Sequence, residues 1–267
     1  MKQSFVVLCL LLASVFASAQ TPDCAALTHQ ALELSGFNDS LSQINELMSS
    51  DDFMRQIQGG SSSDEVVARI RPILQKDLNG DTMRKELQAK LVVHCNPEQV
   101  KQAVDRLQTP FVARMLALEA ASNTPEGKEK LKRYIKIAQT SPPNDDLMDA
   151  LNAVDQASGS TDFAADMVIA VLHGMMSGVG APSDMVEQVR QHRKEVKDQM
   201  QNAIELSLSA TYHGVTRADL QQYAKELSAP ALKGFYDQVK KAFLEVTEEH
   251  SKAVGEDLKA VLGAGKS

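Results

Sequence analysis

Apolar residues recur every three or four positions along most of the chain, and no stretch alternates apolar with polar for long enough to make a strand. The pattern predicts an all-α fold of about ten to twelve helices. It is clearest towards the C-terminus, where Leu232, Phe235, Tyr236, Val239, Phe243, Val246, Val254, Leu258 and Leu262 step by threes, fours and eights. That spacing predicts one long helix whose apolar face needs a cover. Helix starts are legible too. Asn96 precedes Pro97, Thr109 precedes Pro110, Thr124 precedes Pro125, and Thr216 stands three residues before Asp219. Breaks are predicted where Gly, Pro and Ser gather, at 59–63, 141–144, 158–160 and 178–182.

Two parts of this pattern match at a separation of 120 residues. Asn96, Val100, Leu107, Pro110 and Met115 align with Thr216, Leu220, Leu227, Pro230 and Phe235, so each stretch reads cap, helix, Leu-x-x-Pro, helix. The proline lacks the N–H that a continuing helix needs but suits the first turn of a new one, so the chain bends and restarts there. Upstream, Leu34-Ser35-Gly36-Phe37 and Met176-Ser177-Gly178-Val179 each read as a helix end followed by a new start, at a separation of 142. The reading is an internal repeat. A first helical lobe covers 20–140, a linker region 141–160, and a second lobe with the long helix 161–267, the two sharing an extended core.

Residues 163–179 are unusually apolar yet keep Asp166, His173 and Ser177, with Asp162 just before them. At about 100° per residue these four polar groups fall within about 60° of one another, one stripe on a helix otherwise suited to burial. Phe163, Met167, Leu172, Met175 and Met176 are the candidate ligand-binding residues, because Met side chains adapt to varied apolar ligands. The competing reading is an ordinary central helix with a polar edge. Asp166 and His173 stand two turns apart, too far to touch directly, and read as independent groups.

The chain's start adds a compartment. Lys2, an apolar run over 5–16 and Ala17-Ser18-Ala19 form a signal peptide over 1–19. Its apolar run is shorter than the roughly 20 residues that cross a bilayer, and no later segment reads as a transmembrane span. The expectation is a soluble protein, secreted or periplasmic. Cleavage removes one of the 28 basic residues and none of the 35 acidic ones, which moves the formal net charge from −7 to −8. So acidic a chain repels a polyanion unless its basic residues share one face, and nucleic acid is not an expected partner. Cys9 leaves with the leader. Cys24 and Cys95 remain and are expected to form a disulfide in an oxidising compartment, with two buried thiols as the alternative.

No local catalytic motif appears. The six histidines are scattered, and there is no His-Glu-x-x-His, Gly-x-Ser-x-Gly, phosphate loop or dinucleotide fingerprint. No catalytic residue, metal ligand or cofactor is expected. Basic residues gather at Lys128, Lys130, Lys132, Arg133 and Lys136, where an apolar edge would suit an anionic membrane surface. They gather again at Arg190, Arg193, Lys194 and Lys197, where interleaved acids suggest a solvent-facing helix.

Tyr212, Thr216, Asp219-Leu220, Tyr223, Leu227 with Pro230, and Phe235 together resemble the signature of a family of exported bacterial helical proteins catalogued as a domain of unknown function. The stretch from His29 to Met48 is similar to the helix that opens that domain. The resemblance implies an all-helical fold and export, and it carries no catalytic residues. Three functions are compatible with these features. The first is a non-catalytic module that binds another envelope protein through an incompletely covered apolar face. The second is a small-molecule or lipid carrier with an apolar pocket between helices. The third is an envelope hydrolase whose active site assembles from distant residues.

Overall fold

A computed structural model describes residues 23–50, 64–138, 140 and 144–264. The expected leader, the 59–63 break and positions 141–143 lie outside them. All regular structure among the described residues is α-helical, in agreement with the apolar periodicity. The elements are α1 (Cys24–Leu34), α2 (Phe37–Ser49), α3 (Asp64–Asp77), α4 (Gly80–Val93), α5 (Pro97–Leu107), α6 (Pro110–Ser122), α7 (Pro125–Ala138), α8 (Asp145–Ser158), α9 (Ser160–Val179), α10 (Ser183–Gln191), α11 (Arg193–Thr211), α12 (Arg217–Leu227) and α13 (Pro230–Ala264). Only His192 separates α10 from α11, so the two count as one bent helix under a looser definition.

The caps act where the sequence placed them, with one exception. The Asn96 side chain accepts from Gln99 N at 3.2 Å, Thr216 from Asp219 N at 3.1 Å and Thr124 from Gly127 N at 3.1 Å. Thr109 does otherwise: its hydroxyl donates to the Arg106 carbonyl at 2.8 Å, tying off α5 instead of capping α6.

Helices α1 to α6 and α8 to α13 follow the same packing order. α5 lies on α1 as α12 lies on α8; α4 touches α1 and α2 as α11 touches α8 and α9; α3 rests on α2 as α10 rests on α9. Buried positions keep the 120-residue register. Val100, Ala103, Val104 and Leu107 correspond to Leu220, Tyr223, Ala224 and Leu227, and Val112 and Met115 to Leu232 and Phe235. Contacts between the halves are reciprocal. Arg106 pairs with Glu226, its own counterpart, at 2.8 Å. Arg114 meets Asp219 at 3.2 Å, and their counterparts Gly234 and Gln99 also lie together.

The upstream match differs from the one expected. The turn equivalent to Gly36 is Gly159, not Gly178: both glycines adopt left-handed φ, +74° and +63°, each follows a serine, and each joins two helices in the same packing places. The 141–160 region therefore contains α8, whose Ala150, Leu151 and Val154 are buried in the main core. That core runs from Ala31 to Val246 through both halves, and a smaller cluster of Met48, Ile73, Leu74 and Val254 lies towards the end of α13.

α13 has 35 residues, about 50 Å at 1.5 Å per residue, and α9 packs along it more extensively than any other pair of helices meet. By length and composition α9 is apolar enough to cross a membrane, a property the sequence reading did not assign to it. In the fold its Ala165, Ile169 and Ala170 are buried, while Leu172 and Val179 stay exposed. Gly174 and Gly178 face Gly255 and Ser251 so closely that a Cβ on Gly178 would lie 2.8 Å from the Gly255 Cα. Its polar stripe is used on the other side. Arg193 of α11 bonds both Asp162 and Asp166, and Lys197 bonds Asp162 at 2.9 Å. His173 instead lies 2.8 Å from Glu248 of α13, so Asp166 and His173 have separate partners. Cys24 at the start of α1 is bonded to Cys95, just after α4, with Cα atoms 6.1 Å apart.

Candidate functional site

A cavity of about 370 Å³ lies where the two halves meet. Its floor is aromatic. Phe37 at the start of α2 stands with its ring centroid 6.5 Å from Phe163 of α9, 6.4 Å from Phe243 and 6.3 Å from Tyr236 of α13. Local sequence explains each placement. Gly36 turns the chain so that Phe37 enters the core side, and the spacing of Tyr236, Lys240 and Phe243 keeps all three on one face of α13.

One wall is polar. Glu119 of α6 accepts hydrogen bonds at a single oxygen, Oε1, from the Tyr212 hydroxyl at 2.5 Å and the Tyr223 hydroxyl at 2.7 Å. Tyr212 ends α11 and Tyr223 belongs to α12, with ring centroids 6.1 Å apart at 63°. Burial raises the Glu119 pKa above the usual carboxylate value, and the two phenol donors offset part of that rise. Burial also raises Tyr212, Tyr223 and Tyr236, with the Glu119 charge adding to it. At another wall Lys240 donates to the Ser158 carbonyl at the end of α8, a favourable place for a cation. Burial lowers its pKa, against the attraction of Asp237, Asp155 and Asp162. The Ser158 and Ser160 hydroxyls bond one another at 2.7 Å.

Glu119 yields a prediction for stability. Its folded pKa is raised, so the folded state binds a proton more readily than the unfolded chain does. Its contribution favours folding most below the ordinary carboxylate pKa and declines as pH rises through the raised folded value. Urea unfolding of Glu119→Gln, measured across that range, should show this decline removed; an unchanged pH slope would mean that Glu119 is not the group responsible.

Of the five candidate residues on α9, Phe163 lines the cavity and the other four do not. Met167 packs against the main core and its sulfur lies 3.8 Å from the Thr247 hydroxyl. Leu172 is exposed, Met175 packs on the smaller cluster and Met176 is half-buried. The reason is rotational: a helix in contact with both α11 and α13 cannot turn every apolar side chain toward one hollow. Sequence reasoning missed Glu119, Tyr212, Tyr223, Tyr236 and Lys240. A single acid within the apolar stretch Met115 to Ala121 was the available signal for Glu119.

A second depression of about 640 Å³, about as open as the cavity, lies under α7 and shares Ser122, Asn123, Ser207 and Thr211 with it. Lys128, Lys130 and Arg133 surround it, and Tyr134 stacks edge-on to His213 at 5.6 Å. No family model, curated protein or solved structure matches the chain.

Proposed function

We propose that this protein is a non-catalytic carrier that holds a small, largely apolar molecule between its two halves. The carrying observation is the cavity itself, an aromatic-floored space within the range of about 300–1,000 Å³ typical of ligand sites, with Glu119, Lys240 and several hydroxyls on its wall. A close-packed interior would have left no such space. The protein-docking alternative has less support, because Phe235 is buried and Met175 and Met176 are half-buried. Hydrolysis has less support as well. Among the described residues no histidine or cysteine lines the cavity, Ser158 and Ser160 bond each other, and Lys240 bonds a carbonyl instead of a hydroxyl. Export by a cleaved leader remains part of the proposal and rests on residues 1–19.

The test is calorimetric titration with butylbenzene, together with native mass spectrometry of freshly purified protein to detect a retained ligand. Ser207→Phe places a ring where the cavity meets the depression and should weaken butylbenzene binding by about tenfold or more. If wild type binds no butylbenzene, or Ser207→Phe binds it equally well, the carrier reading is wrong.

A further inference from the structure

The two halves provide an internal reference for the cavity. At the 120-residue register, Glu119 corresponds to Val239, Tyr223 to Ala103, Tyr236 to Leu116 and Lys240 to Ala120. Val239 and Ala103 are both fully buried members of the main core. The equivalent positions carry no carboxyl, phenol or ammonium, although a depression of about 610 Å³ lined by Leu107, Leu116, Ala120 and Asn123 lies there too. Where the halves meet at the cavity, Glu119 from one and Tyr223, Tyr236 and Lys240 from the other bring these polar groups together. Packing alone does not require them there, and each represents a desolvation cost that an apolar residue avoids.

Charge selects what such a space accepts. Glu119 stands on one wall and disfavours an anion. Lys240 stands on another, and Lys128, Lys130 and Arg133 line the adjoining depression, which disfavours a cation. A neutral molecule meets neither penalty. Both phenols already donate to Glu119 Oε1, so a further donor would go to Oε2. The remaining polar wall groups are chiefly hydroxyls, from Ser35, Ser122, Ser207 and Thr211. Resting on the carrier reading above, we propose that the cavity takes a neutral apolar molecule ending in an alcohol or phenol hydroxyl, which donates to Glu119.

Four probes of one shape test this by calorimetry: phenylbutanol, butylbenzene, phenylbutylamine and phenylbutanoate. Phenylbutanol should bind about tenfold more tightly than butylbenzene, the increment of one net hydrogen bond, and more tightly than the amine or the acid. Glu119→Met should remove the advantage of the alcohol while butylbenzene still binds. Because that change leaves two phenol hydroxyls without an acceptor, the triple variant Glu119→Met, Tyr212→Phe, Tyr223→Phe serves if the single one does not fold, as it removes the network as a unit. Tighter binding of the amine or the acid, or an alcohol advantage that survives loss of Glu119, overturns the proposal. The two readings fail separately. If butylbenzene does not bind wild type, both fall; if it binds and the hydroxyl adds nothing, the carrier stands and the hydroxyl preference falls.

Discussion

Replacing Cys24 and Cys95 together by alanine lowers the melting temperature by roughly 10 °C. The bridge closes a separation of 71 residues, which in the chain-entropy account restricts the unfolded state by about 4 kcal/mol. For a chain of this size each kcal/mol corresponds to roughly 2–4 °C. The bridge also has a local role. α1 contacts α5, α4 and α2, and buries only Thr28, Ala31 and Leu32, so without the bond its first turns depend on little apolar area. Amide exchange should therefore quicken first in α1 and around Cys95. A melting temperature within a degree or two of wild type would show that packing alone holds α1 in place.

Gly178→Ala produces the second large effect, a loss of roughly 3 kcal/mol from a single methyl group, in the upper range for overpacking. An added Cβ meets backbone and not a flexible side-chain end: the Glu256 nitrogen and the Gly255 Cα both lie 2.8 Å away, and the Lys252 carbonyl is nearer still. The only relief is to part α9 from α13, which disturbs the longest helix contact in the molecule. Gly36→Ala is the control. Its left-handed φ of +74° disfavours alanine, but nothing lies within 4 Å of the new methyl, so the loss should stay near the roughly 1 kcal/mol of backbone strain. Equal losses in the two variants would contradict the close-approach account.

Much of the scaffold was legible because its causes are local. Asn96, Thr124 and Thr216 cap with their own side chains, and Pro110 and Pro230 restart helices through their missing N–H, so a few neighbouring residues decide each event. The 120-residue echo was legible for the same reason, since a similar local pattern of cap, helix, Leu-x-x-Pro and helix recurs there. Its upstream continuation was misplaced. Ser177-Gly178 resembles Ser35-Gly36 in letters, but whether a Ser-Gly pair turns the chain or lets two helices touch depends on what lies against it. Gly174 and Gly178 have no phosphate-binding spacing in the sequence, and their purpose appears only once Ser251 and Gly255 face them, each from 77 residues away.

By itself, the sequence determined the helical class, the long last helix and the bends at Leu-x-x-Pro, because periodicity and caps act over short distances; it pointed to a Cys24–Cys95 bond, which the fold then chose over two buried thiols. The tertiary structure alone decided where polar groups converge. Glu119 meets Tyr212 and Tyr223 across 93 and 104 residues, Lys240 reaches Ser158 across 82, and Phe37 finds Phe163 only when α2 and α9 are packed together. No periodic signal encodes such meetings, since each depends on the rotation and crossing of several helices at once. The most telling fact about the cavity, that its wall carries Glu119, Tyr223, Tyr236 and Lys240 where the equivalent positions are Val239, Ala103, Leu116 and Ala120, needed both: a register read from the sequence, and a fold to show what each position touches.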